Sequence, residues 1–233
     1  MFPDLTKKVE GELAILMGSV SHHLHPDIAK YISKANLEFR EEFQEYSPKG
    51  LDVHEFLFEN SDCVFPGSRR NINKEAKKAK WKNNVHEDGT ILNDNTFPRH
   101  LWSFLVCSKS YSNRSWIDTG LNAFELAHVF SHKIDETNLE KKSFMRFDED
   151  RKPYSLFTSA SNVVLIPSGL TKPTDKLESV KLCYYQRHID LYGENFCHMS
   201  GFKKELVPDW YDDIEWIEPV TPQAPKPIIP IPK

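Results

Sequence analysis

This sequence lacks several features that would assign its class directly. It has no C-x-x-C pair, so a zinc knuckle or ribbon built on cysteine is not indicated. Its scattered thiols favour a reduced, cytoplasmic setting over a disulfide framework. The longest apolar run near the N-terminus, Leu13 to Met17, is too short for a membrane span or a signal sequence. We therefore expect a soluble, cytoplasmic protein with no membrane partner. The cysteines are Cys63, Cys107, Cys183 and Cys197.

An excess of positive charge is also absent. The formal net charge is -4 and the pI is about 6.2, so a protein that is basic throughout is not indicated, although a local basic patch stays compatible with nucleic-acid binding. The chain contains no P-loop, dinucleotide fingerprint, G-x-S-x-G elbow or H-E-x-x-H motif. These absences argue against nucleotide-dependent enzymes, esterases and zinc proteases.

The patterns that are present predict an α+β protein. Apolar residues at helical spacing predict helices across residues 4–47, with a break at Ser21 to Pro26. The apolar run from Leu101 to Cys107 predicts a buried strand or a short helix, and residues 108–120 resemble a loop. Short strands are predicted around His128 and at residues 162–166. A further helix is predicted to begin at Asp175, which Glu178 would complete as a capping box.

Charge is concentrated in one segment, residues 69–82, where seven basic residues accompany a single acid. On a helix, part of this segment forms one basic side that includes Trp81, suited to gripping phosphates. A solvated helix face explains the same pattern equally well. The candidate nucleic-acid contacts here are Arg69, Arg70, Lys74, Lys77 and Lys78.

Two other segments have a biased composition. Residues 134–153 are mostly charged and are interpreted as an insertion. Pro219 to Lys233 contains six prolines, which favours an extended, largely unstructured tail. Such a tail is either a ligand for an aromatic-lined groove or simply a tail.

Histidines supply the candidate chemistry. In "FELAHVFSHK" (Phe124 to Lys133), His128 and His132 stand four residues apart near Glu125. On a helix all three side chains would share a face, whereas on a strand Glu125 would point away from the two histidines. A second cluster, at residues 22–25, is either a metal site or a polar break before Pro26. His188 falls on the apolar face of the predicted last helix, as a core histidine would.

"FELAHVFSHK" and "SNVVLIPSGLTKPTD" (Ser161 to Asp175) resemble the two sequence blocks of the ββα-metal, or HNH, nuclease family. The resemblance covers roughly residues 100–190. It implies a strand, strand, helix core within residues 91–205, preceded by a helical region with the basic segment at 1–90 and followed by the tail at 206–233. Two positions depart from the family pattern: Ala127 stands where many members have an acidic metal ligand, and Thr171 stands where most have a histidine.

The resemblance implies metal-dependent hydrolysis of phosphodiester bonds in double-stranded DNA, as in a restriction endonuclease. His128 would be the general base, since histidine titrates near working pH, and Asn162 would orient it by hydrogen bonding. A divalent ion, Mg²⁺ first with Mn²⁺ and Zn²⁺ as alternatives, would supply Lewis acidity, with His132 and Glu125 as the nearest ligands. Lys172 would contact phosphate. A homodimer would suit a palindromic target, but no feature of the sequence indicates one.

Two other functions fit the same sequence. Ala127 and Thr171 favour a descendant that keeps the fold and binds nucleic acid without cutting it. Alternatively, the proline-rich tail carries a protein interaction, and the histidines are structural.

Overall fold

The computed structural model describes residues 2–43, 60–63, 96–107, 113–130, 139–140, 142–147, 159–194 and 199–221. The chain divides into two compact units that interleave along the sequence. The first combines Met1–Pro26, Ala123–Asp148 and Ser161–Val220, and the second combines Asp27–Asn122, Glu149–Ala160 and Thr221–Lys233. The first unit draws on all three segments proposed from the sequence, and the boundaries near residues 90 and 205 stay a prediction.

The described residues form a mixture of helices and antiparallel strands, which confirms the α+β class. The helices are α1 (Phe2–Gly18), α2 (Pro26–Glu38), α3 (Arg40–Phe43), α4 (Thr96–Cys107), α5 (Asn113–Asp118), α6 (Thr171–Lys176) and α7 (Glu178–Tyr192). The strands are β1 (Phe124–His128), β2 (Phe144–Phe147), β3 (Val163–Pro167) and β4 (Met199–Phe202). Short 3-10 helices occupy Leu121–Ala123, Ala160–Asn162, Lys204–Leu206 and Asp209–Asp213.

Most predicted elements exist, with several corrections. The apolar run at 101–107 is helical, one of its two predicted alternatives, and forms much of α4; the stretch interpreted as a loop contains α5. Asp175 does not cap the last helix, because it lies inside α6; Leu177 precedes α7 and makes no side-chain capping bond. The charged insertion also supplies β2, which pairs with β4 in a second small sheet.

In the first unit, β3 is the central strand. It pairs along its length with β1, and on its other side the extended backbone at His22 exchanges hydrogen bonds with Leu165, at 2.9 and 3.0 Å. Residues Val163 to Ile166 are all buried. This explains why the sequence there is a continuous apolar run, since a strand covered on both faces has no polar side.

Helix α7 packs deep in the same unit. Its buried residues occur around the helix rather than along one stripe, as expected for an internal helix. Helix α1 packs against it, and the Ser179 hydroxyl donates a 2.6 Å hydrogen bond to the Glu10 carboxylate. At the end of α1, Gly18 leaves room for a close approach, because a Cβ there would collide with Ile214.

The described part of the second unit is mostly helical. Buried side chains of α2 and α4 form its core, including Ile32, Trp102 and Leu105. The Asn36 amide donates hydrogen bonds to the backbone carbonyls of Ser61 and Cys63, both at 2.8 Å. Within the described ranges of the chain, no helix is both long enough and apolar enough to cross a membrane.

Candidate functional site

The candidate site lies at one end of the β1–β3 ribbon. In the antiparallel register His128 is paired with Val163, so the last residue of β1 faces the first residue of β3. His128 is partly exposed, whereas Val129 and Phe130, which follow it, are buried. Helices α6 and α7 follow β3 directly in the chain, and α6 contacts β1. His128 therefore stands where a two-stranded ribbon meets the helices that follow it.

Asn162 fastens the chain just after His128. Its side-chain oxygen accepts a 2.7 Å hydrogen bond from the Phe130 N–H, and its amide nitrogen donates a 3.1 Å bond to the Phe130 carbonyl. The Asn162 carbonyl also accepts a 2.9 Å bond from the Val129 N–H. Because Asn162 is fully buried, these bonds satisfy backbone groups that water cannot reach. Asn162 thus fixes the backbone that leaves β1 and, through it, the position of His128.

The Phe130 side chain packs in the core and so connects the end of β1 to α7. Its ring stacks on Tyr185 with centroids 4.9 Å apart and meets the edge of His188 at the same separation. Both partners belong to α7, so the Asn162 bonds and these ring contacts hold the end of β1 against that helix. The site rests on packed elements rather than on a loose loop.

A small pocket opens beside His128. It is lined by residues from the end of β1, from β3 and from both following helices: Ala127, His128, Val164, Thr174, Lys181 and Tyr184. The side chain of Lys181 is partly exposed, and among the residues the structure describes its ammonium group has no ion-pair partner. The pocket therefore brings Lys181 to the face of the ribbon that carries Ala127, Val164 and Glu125, whereas His128, paired with Val163, belongs to the opposite face and borders the pocket from the end of β1.

Lys181 was not predicted from the sequence. It stands between two buried residues, Val180 and Leu182, in a helix whose sequence shows no catalytic pattern. One turn of helix separates it from Tyr184, which shares its face. Only the packing of α7 near the β1–β3 ribbon brings this lysine into the pocket wall, and helix periodicity does not reveal that packing.

The residues described around His128 do not by themselves fit a divalent metal ion. Because residues 124–128 form a strand, Glu125 and His128 project from opposite faces of the ribbon. Ala127, which lines the pocket, offers no ligand atom. In the described parts of the chain, no group of three or more histidine, cysteine, aspartate or glutamate side chains is placed to hold a metal. The other predicted ligand, His132, lies outside the described residues.

Few of the other residues predicted to contact nucleic acid or metal lie in the described part of the chain. Lys172 belongs to α6, the helix that contacts β1. Asp175 is exposed in the same helix. The basic residues Arg69, Arg70, Lys74, Lys77 and Lys78 lie outside the described residues, as does most of the proline-rich tail.

Two other histidines have an entirely different environment. His23 and His188 are fully buried within an aromatic cluster that surrounds α7. His23 contacts Tyr184 and Trp216, at centroid distances of 5.9 and 5.5 Å, and His188 lies 4.7 Å from Tyr192. We call these residues, together with Phe130 and Tyr185, the aromatic cluster.

Burial in the aromatic cluster keeps both rings neutral. Loss of hydration, with a smaller contribution from the nearby Arg187 charge, lowers the pKa of His23 from 6.5 to about 3. Burial lowers the pKa of His188 to about 3 as well, and the nearby Ser161 backbone opposes this shift. The metal site considered for residues 22–25 is not formed in this extended segment, since His23 lies in the core while His22 packs edge-on against Phe124, 5.2 Å between ring centroids.

Comparison with known proteins adds no relative: no protein-family model, curated protein or solved structure matches this chain.

Proposed function

We propose that this protein hydrolyses phosphodiester bonds of nucleic acid, with His128 as the general base. The observation that supports the proposal most is the arrangement of the ribbon. Two antiparallel strands lead directly into a helix, a histidine ends the first strand, and a buried asparagine precedes the second. This order agrees with the ββα-metal core that the two sequence blocks resemble.

In this proposal, His128 removes a proton from the attacking water. Histidine suits that role because its ordinary pKa lies near neutral pH and because this ring is partly open to solvent. Asn162 acts as a positioning residue. By holding both backbone groups of Phe130, it limits movement of the strand end and so keeps His128 at a fixed place at the end of the ribbon.

The divalent ion implied by the resemblance, Mg²⁺ or an alternative such as Mn²⁺ or Zn²⁺, is part of the proposal only if residues beyond the described set complete its ligands. His132 is the first candidate, because it follows His128 by four positions. We assign no step of the reaction to a metal. The basic segment at 69–82, together with Lys172, would attract the sugar-phosphate backbone of double-stranded DNA.

Plasmid nicking tests the proposal. Wild-type protein should nick supercoiled DNA in the presence of Mg²⁺ or Mn²⁺, and His128→Ala should reduce the rate about 100-fold or more, the typical contribution of a general base. His25→Ala is the matched control, since His25 is a partly exposed histidine away from the pocket. Nicking that survives in His128→Ala would show that this histidine is not the base.

A second candidate function is nucleic-acid binding without cleavage. Ala127 favours it, because it brings a methyl group to the pocket where a metal-binding carboxylate would serve catalysis. In that case no metal produces nicking, but a gel-shift assay shows binding that weakens steeply as salt increases. Charge reversal of Lys74, Lys77 and Lys78 should then abolish the shift.

A further inference from the structure

We propose that residues 209–220 form a clasp, which acid releases from the rest of the first unit before that unit unfolds, and that His23 is the group that responds to the pH. The proposal goes beyond the nuclease proposal and does not depend on it, because it concerns how one segment packs and assigns no step of a reaction. It names the part of the first unit that moves first when the pH falls.

One part of the clasp is held by a few anchors on α1. A Cβ added at Gly11 would meet the Trp210 ring at 3.4 Å, and one added at Gly18 would collide with Ile214, so each glycine makes room for an anchor. The Ile217 N–H donates a 3.3 Å hydrogen bond to the Gly18 carbonyl. Of the clasp residues, all of which the structure describes, only Ile214 is buried. A segment that buries so little apolar surface opens locally at a lower free energy than the core does.

The end of the clasp is attached to the segment that contains His23. The Val220 N–H donates a 2.8 Å hydrogen bond to the His23 carbonyl, and the Val220 carbonyl accepts a 3.0 Å bond from the His25 N–H. Between these bonds and the anchors on α1, Trp216 packs against the His23 ring, with 5.5 Å between the ring centroids. His23 therefore contacts the clasp through both its backbone and its side chain.

The groups around the His23 ring would not stabilise a positive charge on it. The adjacent strand, β3, presents only apolar side chains. Arg187 already stands 5.5 Å from the Trp216 ring centroid, so a proton on His23 would place a second positive charge beside the same indole. Asp190, further along α7, accepts a hydrogen bond from the Tyr211 hydroxyl instead. The titratable groups that face or act on the ring, none of which is a carboxylate, are Tyr184, Arg187, His188 and His22.

Release of the clasp changes the proton affinity of His23. While the clasp is closed, burial, with a smaller contribution from the Arg187 charge, lowers the pKa of His23 to about 3. Once the clasp is released, water reaches the ring and its pKa returns toward the ordinary value of about 6.5. The released state therefore binds a proton that the closed state does not bind. The advantage of the closed state is complete above pH 6.5 and declines as the pH falls below that value.

His188 provides an internal comparison. It is as deeply buried as His23, but its ring contacts are with Phe130 and Tyr192, neither of which belongs to the clasp. Protonation of His188 would weaken the packing around α7 without acting on the clasp. The two histidines should therefore differ in how they affect local opening, although both are held neutral by burial.

Hydrogen exchange followed by mass spectrometry at pH 7 and pH 5, corrected for the intrinsic exchange rate, measures opening of the clasp against opening of β3. In the wild type we expect clasp opening to increase about 10- to 25-fold at pH 5, with little change in β3. His23→Gln should remove most of this increase, because glutamine takes up no proton. His188→Gln is the matched control and should keep it. If His23→Gln does not fold at pH 7, His23→Phe takes its place, since it keeps an aromatic ring against Trp216.

Three results would overturn the proposal. Equal loss of protection in the clasp and in β3 at pH 5 would mean that acid acts on the whole unit. A clasp that opens as much in the His23 variant as in the wild type would assign the response to other groups, such as the exposed carboxylates of the clasp, which that variant retains. Loss of the response in His188→Gln to the same extent as in His23→Gln would show that His23 has no special relation to the clasp.

Discussion

The two ends of α7 have contrasting surroundings, and the contrast decides what their polar residues can do. Near its start, Lys181 and one side of Tyr184 border a pocket that reaches solvent. Further along, His188 and Tyr192 lie in the aromatic cluster with His23, and both histidines are inaccessible to water. Loss of hydration holds both buried histidines neutral, whereas His128 at the end of β1 is partly exposed. Burial rather than residue type separates candidate chemistry from structure here.

Acid should destabilise the aromatic cluster around His23 and His188, and this is the largest effect we expect. The unfolded chain protonates histidine near 6.5, whereas folded His23 and His188 protonate only near 3. Between these values the unfolded state binds more protons, so stability present above pH 6.5 is lost as the pH falls. At about 1.4 kcal/mol per pKa unit, the free energy of unfolding should drop by roughly 2–3 kcal/mol for each histidine between pH 7 and pH 4.5.

Urea unfolding at a series of pH values measures this loss. His23→Gln and His188→Gln should each reduce the slope of stability against pH below 6.5, even though both lower stability at pH 7. An unchanged slope in the double variant would mean that these rings do not resist protonation and that the buried end is not closed to water.

Asn162 joins the two ends, so its removal should affect both. Asn162→Ala leaves the N–H and the carbonyl of buried Phe130 without these partners, which costs about 2–4 kcal/mol of unfolding free energy. Because Phe130 packs on His188, the packing of the aromatic cluster should also weaken. Because His128 lies two residues before Phe130, the pocket beside it should also become less well ordered. Asn122→Ala, at an exposed site, is the control and should be nearly neutral. Equal stability of the two variants, measured by chemical denaturation, would contradict this role.

Tyr184 contacts both the pocket and the aromatic cluster, so a change in its hydroxyl tests whether the two regions are coupled. Its hydroxyl lies 2.6 Å from the buried Ser21 hydroxyl, while its ring stacks near His23. Tyr184→Phe should cost about 1–2 kcal/mol, because the Ser21 hydroxyl is left without this partner. A double-mutant cycle with Ser21→Ala measures the coupling. Additive effects would show that the hydroxyl pair does not connect the pocket wall to the core.

The sequence predicts these regions unequally. Apolar runs and helical spacing predicted β3 and the last helix, because burial of a strand or helix leaves a local pattern in its own residues. For β1 the residues alone left helix and strand open, and the resemblance favoured the strand. The partners of Asn162 could not be assigned in advance, since they depend on where β3 meets the turn after His128. Lys181 and the closed environment of His23 depend on contacts between segments distant in sequence. No local pattern distinguishes His23, which is buried, from His22, which is only partly so.

The two predictions that the structure corrects, the capping box at Asp175 and the insertion at residues 134–153, fail for the same reason. Asp175 and Glu178 match a capping box, yet the chain forms the separate helix α6 first, so the capping pattern is not used. The pattern of charge in residues 134–153 suggested an insertion, although Phe144–Phe147 within it pairs with a strand more than fifty positions later. In each case a distant contact overrides what a short window of sequence favours.

The smallest effect we expect tests whether the open end of α7 depends on its contact with α1. Ser179→Ala removes the partly buried bond to Glu10 and should cost about 0.5–1 kcal/mol. Glu12→Ala is the control, since its ion pair with Lys8 is exposed and should contribute nothing measurable. Urea unfolding measures both variants, and the backbone bond from the Lys181 N–H to the Leu177 carbonyl remains in each. A loss of stability in Ser179→Ala no larger than that in Glu12→Ala would show that this bond does not stabilise the contact between α1 and α7.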